Sequence, residues 1–137
     1  MRRQPVACDG ARALNVAEIG CGAGARAVRW AERGHQVYGV DRDQARIALA
    51  RRRAADAGVE ILFDVGAANA LPWPDRSMDV CIVPLRLWQV CGTELLRVLR
   101  PGGALYLRAQ VGAMSMCQVM RASRRPLPQS AGVTRGR

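Results

Sequence analysis

The first chemical signal is a run of alternating glycines, Glu18-Ile19-Gly20-Cys21-Gly22-Ala23-Gly24, between an apolar stretch and a helical pattern. Glycines so placed let the chain turn sharply and let a ligand press on bare backbone. Gly20, Gly22 and Ala25 also satisfy the dinucleotide pattern GxGxxG/A. Asp41 closes the next apolar run, where a ribose-binding carboxylate stands. Glu18 separates the possible ligands. A carboxylate two residues before the first glycine repels a pyrophosphate and favours a cation. The structural alternative is that Glu18 pairs with a nearby arginine such as Arg26.

Other reactive side chains are sparse. His35 is the sole histidine and precedes the second strand, at the end opposite the glycine loop, as a turn or surface residue. Asp79 precedes the fourth strand, again at the wrong end, and reads as structural. Cys8, Cys21, Cys81, Cys91 and Cys117 form no CxxC pair. Without paired soft ligands a zinc site is not expected, and the thiols read as buried hydrophobes. Arg86 and Trp88, just past strand four, are candidates for an acceptor pocket, with packing of Trp88 on the sheet as the alternative. Trp30 reads as core. Trp73, between two prolines, either folds over a bound base or caps the sheet.

Alternating short apolar runs and helical patterns over the first 109 residues predict repeated βα units and a parallel sheet. The predicted strands are 14–19, 36–40, 60–63, 80–83 and 104–107. A helix is predicted from about Ala23 to Arg33, closed by Gly34. A second runs from the N-cap Asp43 through Ala55, with Gly58 ending it. A third spans about Leu87 to Leu99 and stops before Pro101-Gly102-Gly103. Pro72 and Pro74 exclude a helix between strands three and four. Beyond Ala109 the pattern fades. Met114 to Ala122 is expected as one helix at most, and Ser123 onward as a disordered tail.

The chain has 137 residues, half of them hydrophobic, which suits one compact domain and excludes a two-domain enzyme. No apolar run approaches the ~20 residues of a membrane helix, and no signal peptide is read, so a cytoplasmic chain is expected. The net charge is +10, and every basic residue is arginine. Residues 1–94 carry 13 Arg against 11 acids, whereas 95–137 carry eight Arg and no acid. Such a basic half suits a nucleic-acid partner. Exclusive arginine usage equally reflects GC-rich coding, and the acid-free tail reads as a truncated or out-of-frame stretch.

Five blocks in order give a more specific signal: Glu18 to Gly24, Tyr38-Gly39-Val40-Asp41, Ala70-Leu71-Pro72-Trp73-Pro74-Asp75, Ser77-Met78-Asp79, and Leu96-Arg97-Val98-Leu99-Arg100-Pro101-Gly102-Gly103. Over about residues 13–109 the chain resembles the class I S-adenosylmethionine-dependent methyltransferases. It is most similar to the type 11 group of ubiquinone- and menaquinone-biosynthesis enzymes. The resemblance implies an α/β, Rossmann-like doubly wound parallel sheet, expected here with five strands in the order 3-2-1-4-5 and without the usual last two. Residues 1–12 are then an extension, 13–109 the cofactor-binding domain and 110–137 a basic tail.

The resemblance also implies site residues. Gly20, Cys21, Gly22 and Gly24 approach the methionine moiety of S-adenosyl-L-methionine, whose amino group and sulfonium suit Glu18. Asp41 takes both ribose hydroxyls, Arg42 flanks the adenine, and Ala67, Ala68 and Val83 complete the cofactor contacts. The expected activity is methyl transfer to a small-molecule acceptor by in-line displacement, with no catalytic residue identified.

Several departures motivate a second reading, a non-catalytic cofactor-binding remnant or a subunit needing a partner. Ala67 stands where relatives place an acid that bonds the adenine amino group, and the third helix is short. Few residues precede strand one. A five-stranded sheet also leaves strand five as a bare edge, inviting a homodimer or a covering partner. A nucleic-acid- or protein-directed enzyme anchored by the tail is a third reading, and a nicotinamide-binding domain a fourth.

Overall fold

The computed structural model describes residues 12–111 and 114–121. The chain runs β1 (Asn15–Ile19), α1 (Ala25–Glu32), β2 (Gln36–Asp41), α2 (Gln44–Ala57), β3 (Ile61–Val65), β4 (Met78–Pro84), α3 (Trp88–Val98), β5 (Leu99–Val111) and β6 (Met114–Arg121). A 3₁₀ turn, Leu85–Leu87, links β4 to α3. The sheet order is β3-β2-β1-β4-β5-β6. Its first five strands are parallel in the expected order 3-2-1-4-5, and β6 is antiparallel to β5.

Local chemistry accounts for the helix ends. The Asp43 carboxylate accepts from the Ala45 and Arg46 N–H groups, satisfying two donors that the first turn of α2 leaves open. Gly58 ends α2 in the left-handed conformation, and Gly34 follows α1 with φ 91°. Ile47, Ala50 and Ala54 recur at helical spacing along α2 and are buried against Val16, Val37, Phe63 and Ile82. That is one core, between the sheet and α1–α2. The other face packs α3 and the 66–77 segment onto the sheet through Ile19, Leu71, Trp73, Met78, Val83 and Leu95. Alternate strand residues feed the two cores, as a sheet covered on both faces requires.

The sheet does not stop at five strands. The segment expected as a helix from Met114 to Ala122 is a strand over Met114–Arg121, paired residue by residue from Val111↔Met114 to Ala104↔Arg121. Its mixed pattern suits either element. The free N–H and C=O groups along β5 decide the matter, because they pair with any extended segment returning through a tight turn. β5 is therefore an inner strand, which removes the basis for a partner or homodimer at its edge. The sheet also continues past residue 109, into the region expected as a helical or disordered tail; residues 122–137 lie outside the described residues.

β5 begins at Leu99, five residues earlier than expected. Pro101-Gly102-Gly103 forms an irregularity within it: Met78 faces Leu99, and Val80 already faces Ala104.

Two of the family-like blocks meet on the α3 face. Arg97 donates to the carbonyls of Trp73 and Leu71 at 2.8 and 3.0 Å, and to both Glu94 oxygens and Asp75. Glu94 in turn accepts the Leu71 N–H at 2.8 Å. The proline-rich loop cannot form a helix, so its carbonyls need outside donors, and one guanidinium supplies them.

Candidate cofactor site

The C-terminal ends of β1, β2 and β4 converge on the glycine loop. The N–H groups of Gly20 and Cys21 both donate to the Val40 carbonyl, at 2.8 and 3.1 Å, so the loop folds over the end of β2. Gly22 has φ 57° and Gly24 φ 82°, a region that costs a side-chain-bearing residue about 1–2 kcal/mol. The two glycines differ in their surroundings. A methyl group on Gly24 would meet the Ala50 side chain at 2.9 Å and Phe63 at 3.1 Å, so this glycine lets α2 pack closely. A methyl group on Gly22 would meet nothing within 4 Å. Open space lies over the loop at Gly22.

Asp41 borders that space. Its Oδ2 accepts the Gly22 N–H at 2.9 Å, and its Oδ1 accepts the Asp43 N–H at 2.9 Å. A carboxylate offers about four lone-pair positions, so both oxygens keep acceptor capacity for a pair of hydroxyls. The segment carrying Ala67 is tied to the same point, because Gly66 donates to the Asp41 carbonyl at 3.0 Å. Ala67 is half-buried there. Ala68 is buried in the core cluster with Leu71 and Trp73. Arg42 is exposed.

Glu18 is the buried polar residue among the described core, 2% exposed. Its Oε1 lies 3.6 Å from Arg26 Nη1 and 4.0 Å from Arg108 Nη2, while its Oε2 is buried with no hydrogen-bond partner. The pairing with Arg26, weighed above as an alternative, is thus present together with an orphaned oxygen. Burial pushes the carboxyl up to about 7, against the pull of Arg26, Arg108 and Arg29. Burial likewise pushes the Cys21 thiol up to about 12, helped by Glu18 and Asp41, and its side chain packs in the α1–α2 core.

Val83, expected among the cofactor contacts, lies within β4 with its side chain wholly enclosed in the core. Trp73 is core, and Trp88 packs partly buried against the same cluster. Trp73 nevertheless keeps a buried indole N–H without a partner.

Far from the loop, His35 Nδ1 accepts the Leu14 N–H at 3.2 Å, and Trp30 lies against its ring. Asp79 is also at the far end. Partial burial raises its pKa, but the Asn15 N–H and the Arg100 and Arg12 guanidiniums outweigh that and hold it below the usual range. Both residues are structural. Among the described residues no group of His, Cys, Asp and Glu is placed to hold a metal, and no helix is long and apolar enough to cross a membrane. Sequence reading missed Arg108, which meets Glu18 only because β5 lies two strands from β1.

An open glycine loop, a carboxylate at the end of β2 and a buried carboxylate before the loop lie at one end of an α/β domain of the methyltransferase type. The methyltransferase-domain family matches residues 16–103. The chain belongs to that family, whose cofactor is S-adenosyl-L-methionine.

Over 94 residues it is 36% identical to malonyl-[acyl-carrier protein] O-methyltransferase of Serratia marcescens, covering 64% of this chain and 35% of that one. Over 97 residues it is 34% identical to demethylmenaquinone methyltransferase of Thermus thermophilus, covering 66% and 44%. The chain thus spans between a third and a half of these relatives' length. A solved S-adenosylmethionine-dependent methyltransferase from Methanosarcina mazei superposes with a TM-score of 0.65 at 29% identity, covering 72% of this chain and 53% of that one. The [4+2]-cyclase SpnF superposes with 0.64 at 29%, covering 73% and 41%.

Proposed function

We propose that the chain binds S-adenosyl-L-methionine across the glycine loop and serves methyl transfer to a small-molecule acceptor. The observation that carries this reading is the Asp41 carboxylate, fixed by one backbone N–H on each oxygen beside the open space at Gly22. Two adjacent hydroxyls suit it, and a second hydrogen bond to each oxygen completes its coordination. The buried Glu18 Oε2 supports the same ligand, since an ammonium group supplies the missing donor. A phosphate there would meet repulsion from two carboxylates.

Bound in this site, the cofactor supplies an electrophilic methyl group for in-line displacement, which needs alignment more than acid–base help. The turn after β4 is consistent with that. It presents Leu85, Arg86 and Leu87, with no carboxylate, imidazole or thiol among them to act as a general base. Leu85 is half exposed and Arg86 exposed beside the loop, a surface suited to an acceptor with an apolar body and a polar tip. Ala67 offers no side-chain acceptor to an adenine amino group, which weakens binding by about one hydrogen bond, roughly 0.5–1.5 kcal/mol. We place the reaction in the cytoplasm, supported by the free thiols of Cys21, Cys81 and Cys91.

The test is calorimetric titration with S-adenosylhomocysteine and NADH, with Asp41→Ala as control. Micromolar binding of the former alone, weakened about tenfold or more by Asp41→Ala, is expected. Binding of NADH, or of neither ligand by a folded chain, overturns the reading.

A further inference from the structure

Asp41 divides the site in two. The open space at Gly22 lies on its β1 side, and β3 flanks β2 on the other. A nucleoside with its ribose hydroxyls on Asp41 and its 5′ arm over the glycine loop therefore directs its base toward the end of β3. The chain that leaves β3 there is Gly66-Ala67-Ala68-Asn69-Ala70. A glycine, three alanines and one exposed asparagine give a base little side-chain recognition. What the segment offers is backbone N–H and C=O groups, and these discriminate only when the backbone is held in one orientation.

Within the segment the Ala70 N–H donates to the Ala67 carbonyl at 3.2 Å, and its near end is tied by the Gly66 bond to the Asp41 carbonyl. Its far end is held from α3. The Leu71 N–H donates to Glu94 Oε2 at 2.8 Å, and the Leu71 carbonyl accepts from Arg97 Nη2 at 3.0 Å. Because peptide units are planar, these two bonds orient the units on both sides of Leu71, and the first of them carries the Ala70 carbonyl. Glu94 and Arg97 also clamp each other, Nε and Nη2 meeting the two carboxylate oxygens at 2.9 and 2.8 Å. That is the fork of a strong charge-assisted pair. Its hydrogen bonds to Arg97 hold the Glu94 carboxyl below the usual range, so the clamp stays ionised at neutral pH. Satisfying the carbonyls of a proline-rich loop requires Arg97 alone; the carboxylate on the Leu71 N–H goes further and sets the direction of the chain arriving from Ala70.

We infer that Glu94 and Arg97 are positioning residues for base recognition: from α3 they fix the backbone of residues 67–70 in the orientation that the base of a bound nucleoside reads. The inference rests on the cofactor reading above and adds two residues that this reading does not use. Both act through the segment rather than on the ligand.

The experiment compares S-adenosylhomocysteine with S-ribosylhomocysteine, in which a hydroxyl replaces the base, by calorimetry on the full chain, the weaker ligand being measured by displacement. The wild type should prefer S-adenosylhomocysteine by about tenfold or more. Glu94→Ala and Arg97→Lys should each weaken S-adenosylhomocysteine by about three- to tenfold, the worth of a hydrogen bond, and leave S-ribosylhomocysteine within about twofold. Glu94→Gln, whose amide oxygen still accepts the Leu71 N–H, should recover part of the loss. Hydrogen exchange on the wild type decides the matter even where a variant does not fold: at saturation, S-adenosylhomocysteine should slow the amides of 66–71 more than S-ribosylhomocysteine does. Equal slowing by the two ligands overturns the positioning role and leaves the cofactor reading standing. Variants that weaken both ligands alike, or neither, overturn it in favour of a structural role. Failure of the wild type to bind S-adenosylhomocysteine overturns the cofactor reading and the positioning role together.

Discussion

Replacing Glu18 with glutamine removes a charge that the folded chain holds at a cost. The carboxyl rises from an ordinary 4.5 to about 7 because burial outweighs the pull of Arg26, Arg108 and Arg29. Below pH 4.5 the group is protonated in both folded and unfolded chains and contributes no pH dependence. Between 4.5 and 7 the folded chain keeps a proton that the unfolded chain has released, so stability falls as pH rises. Above 7 both states are ionised and the loss is complete. The interval corresponds to about 3 kcal/mol. Asp79 and Glu94 are both held below their ordinary values and titrate beneath this window. Urea unfolding of wild type and Glu18→Gln at steps between pH 4.5 and 8.5 isolates the effect. The glutamine variant should lack most of the wild-type decline and be the more stable protein at pH 8. It should also bind S-adenosylhomocysteine more weakly there, by about tenfold or more, because an amide offers an ammonium no charge. Parallel stability profiles for the two proteins would refute the argument, since they would mean that Glu18 ionises as freely folded as unfolded.

The two loop glycines should fail in different ways. Gly24→Ala meets Ala50 and Phe63 as well as an unfavourable φ, so its urea midpoint should fall well below that of Gly22→Ala, which carries only the φ penalty of about 1–2 kcal/mol. Gly22→Ala should instead lose ligand affinity out of proportion to its stability; equal midpoints would show that the packing at Gly24 is unimportant. Arg97→Ala should expose the 71–75 loop to limited proteolysis, and Arg97→Lys should not protect it, because an ammonium cannot reach the carbonyls and carboxylates that one planar fork serves. Truncation after Ala109 strips β6 from β5 and should produce concentration-dependent self-association in size-exclusion chromatography; a monodisperse monomer would contradict the edge argument.

The parts of the fold legible in the sequence were those written in local chemistry. Asp43 and Gly58 bound α2 because capping needs only neighbouring backbone, and the glycine loop and Asp41 declare themselves by spacing along one βαβ unit. What stayed hidden depends on contacts between distant residues. Arg97 bonds residues 22 to 26 positions away, with no periodicity to announce it. Arg108 reaches Glu18 across the sheet, 90 residues on. β6 was missed for a related reason. Its pattern alone does not decide between helix and strand, and the deciding partner is the open edge of β5. The enclosure of Val83 was equally illegible, because it depends on α3 and the 66–77 segment packing over β4.

The antiparallel course of β6 also fixes a direction of travel. The chain passes the cofactor end of the sheet at Val111 and then runs back until Arg121 lies opposite Ala104. Eight strand residues carry it roughly 25 Å away from the glycine loop. Arg121 therefore lies at the floor of the domain, on the side where His35 and Asp79 brace the strand beginnings. The last described residue and the open glycine loop thus stand at opposite ends of the sheet, a strand's length apart.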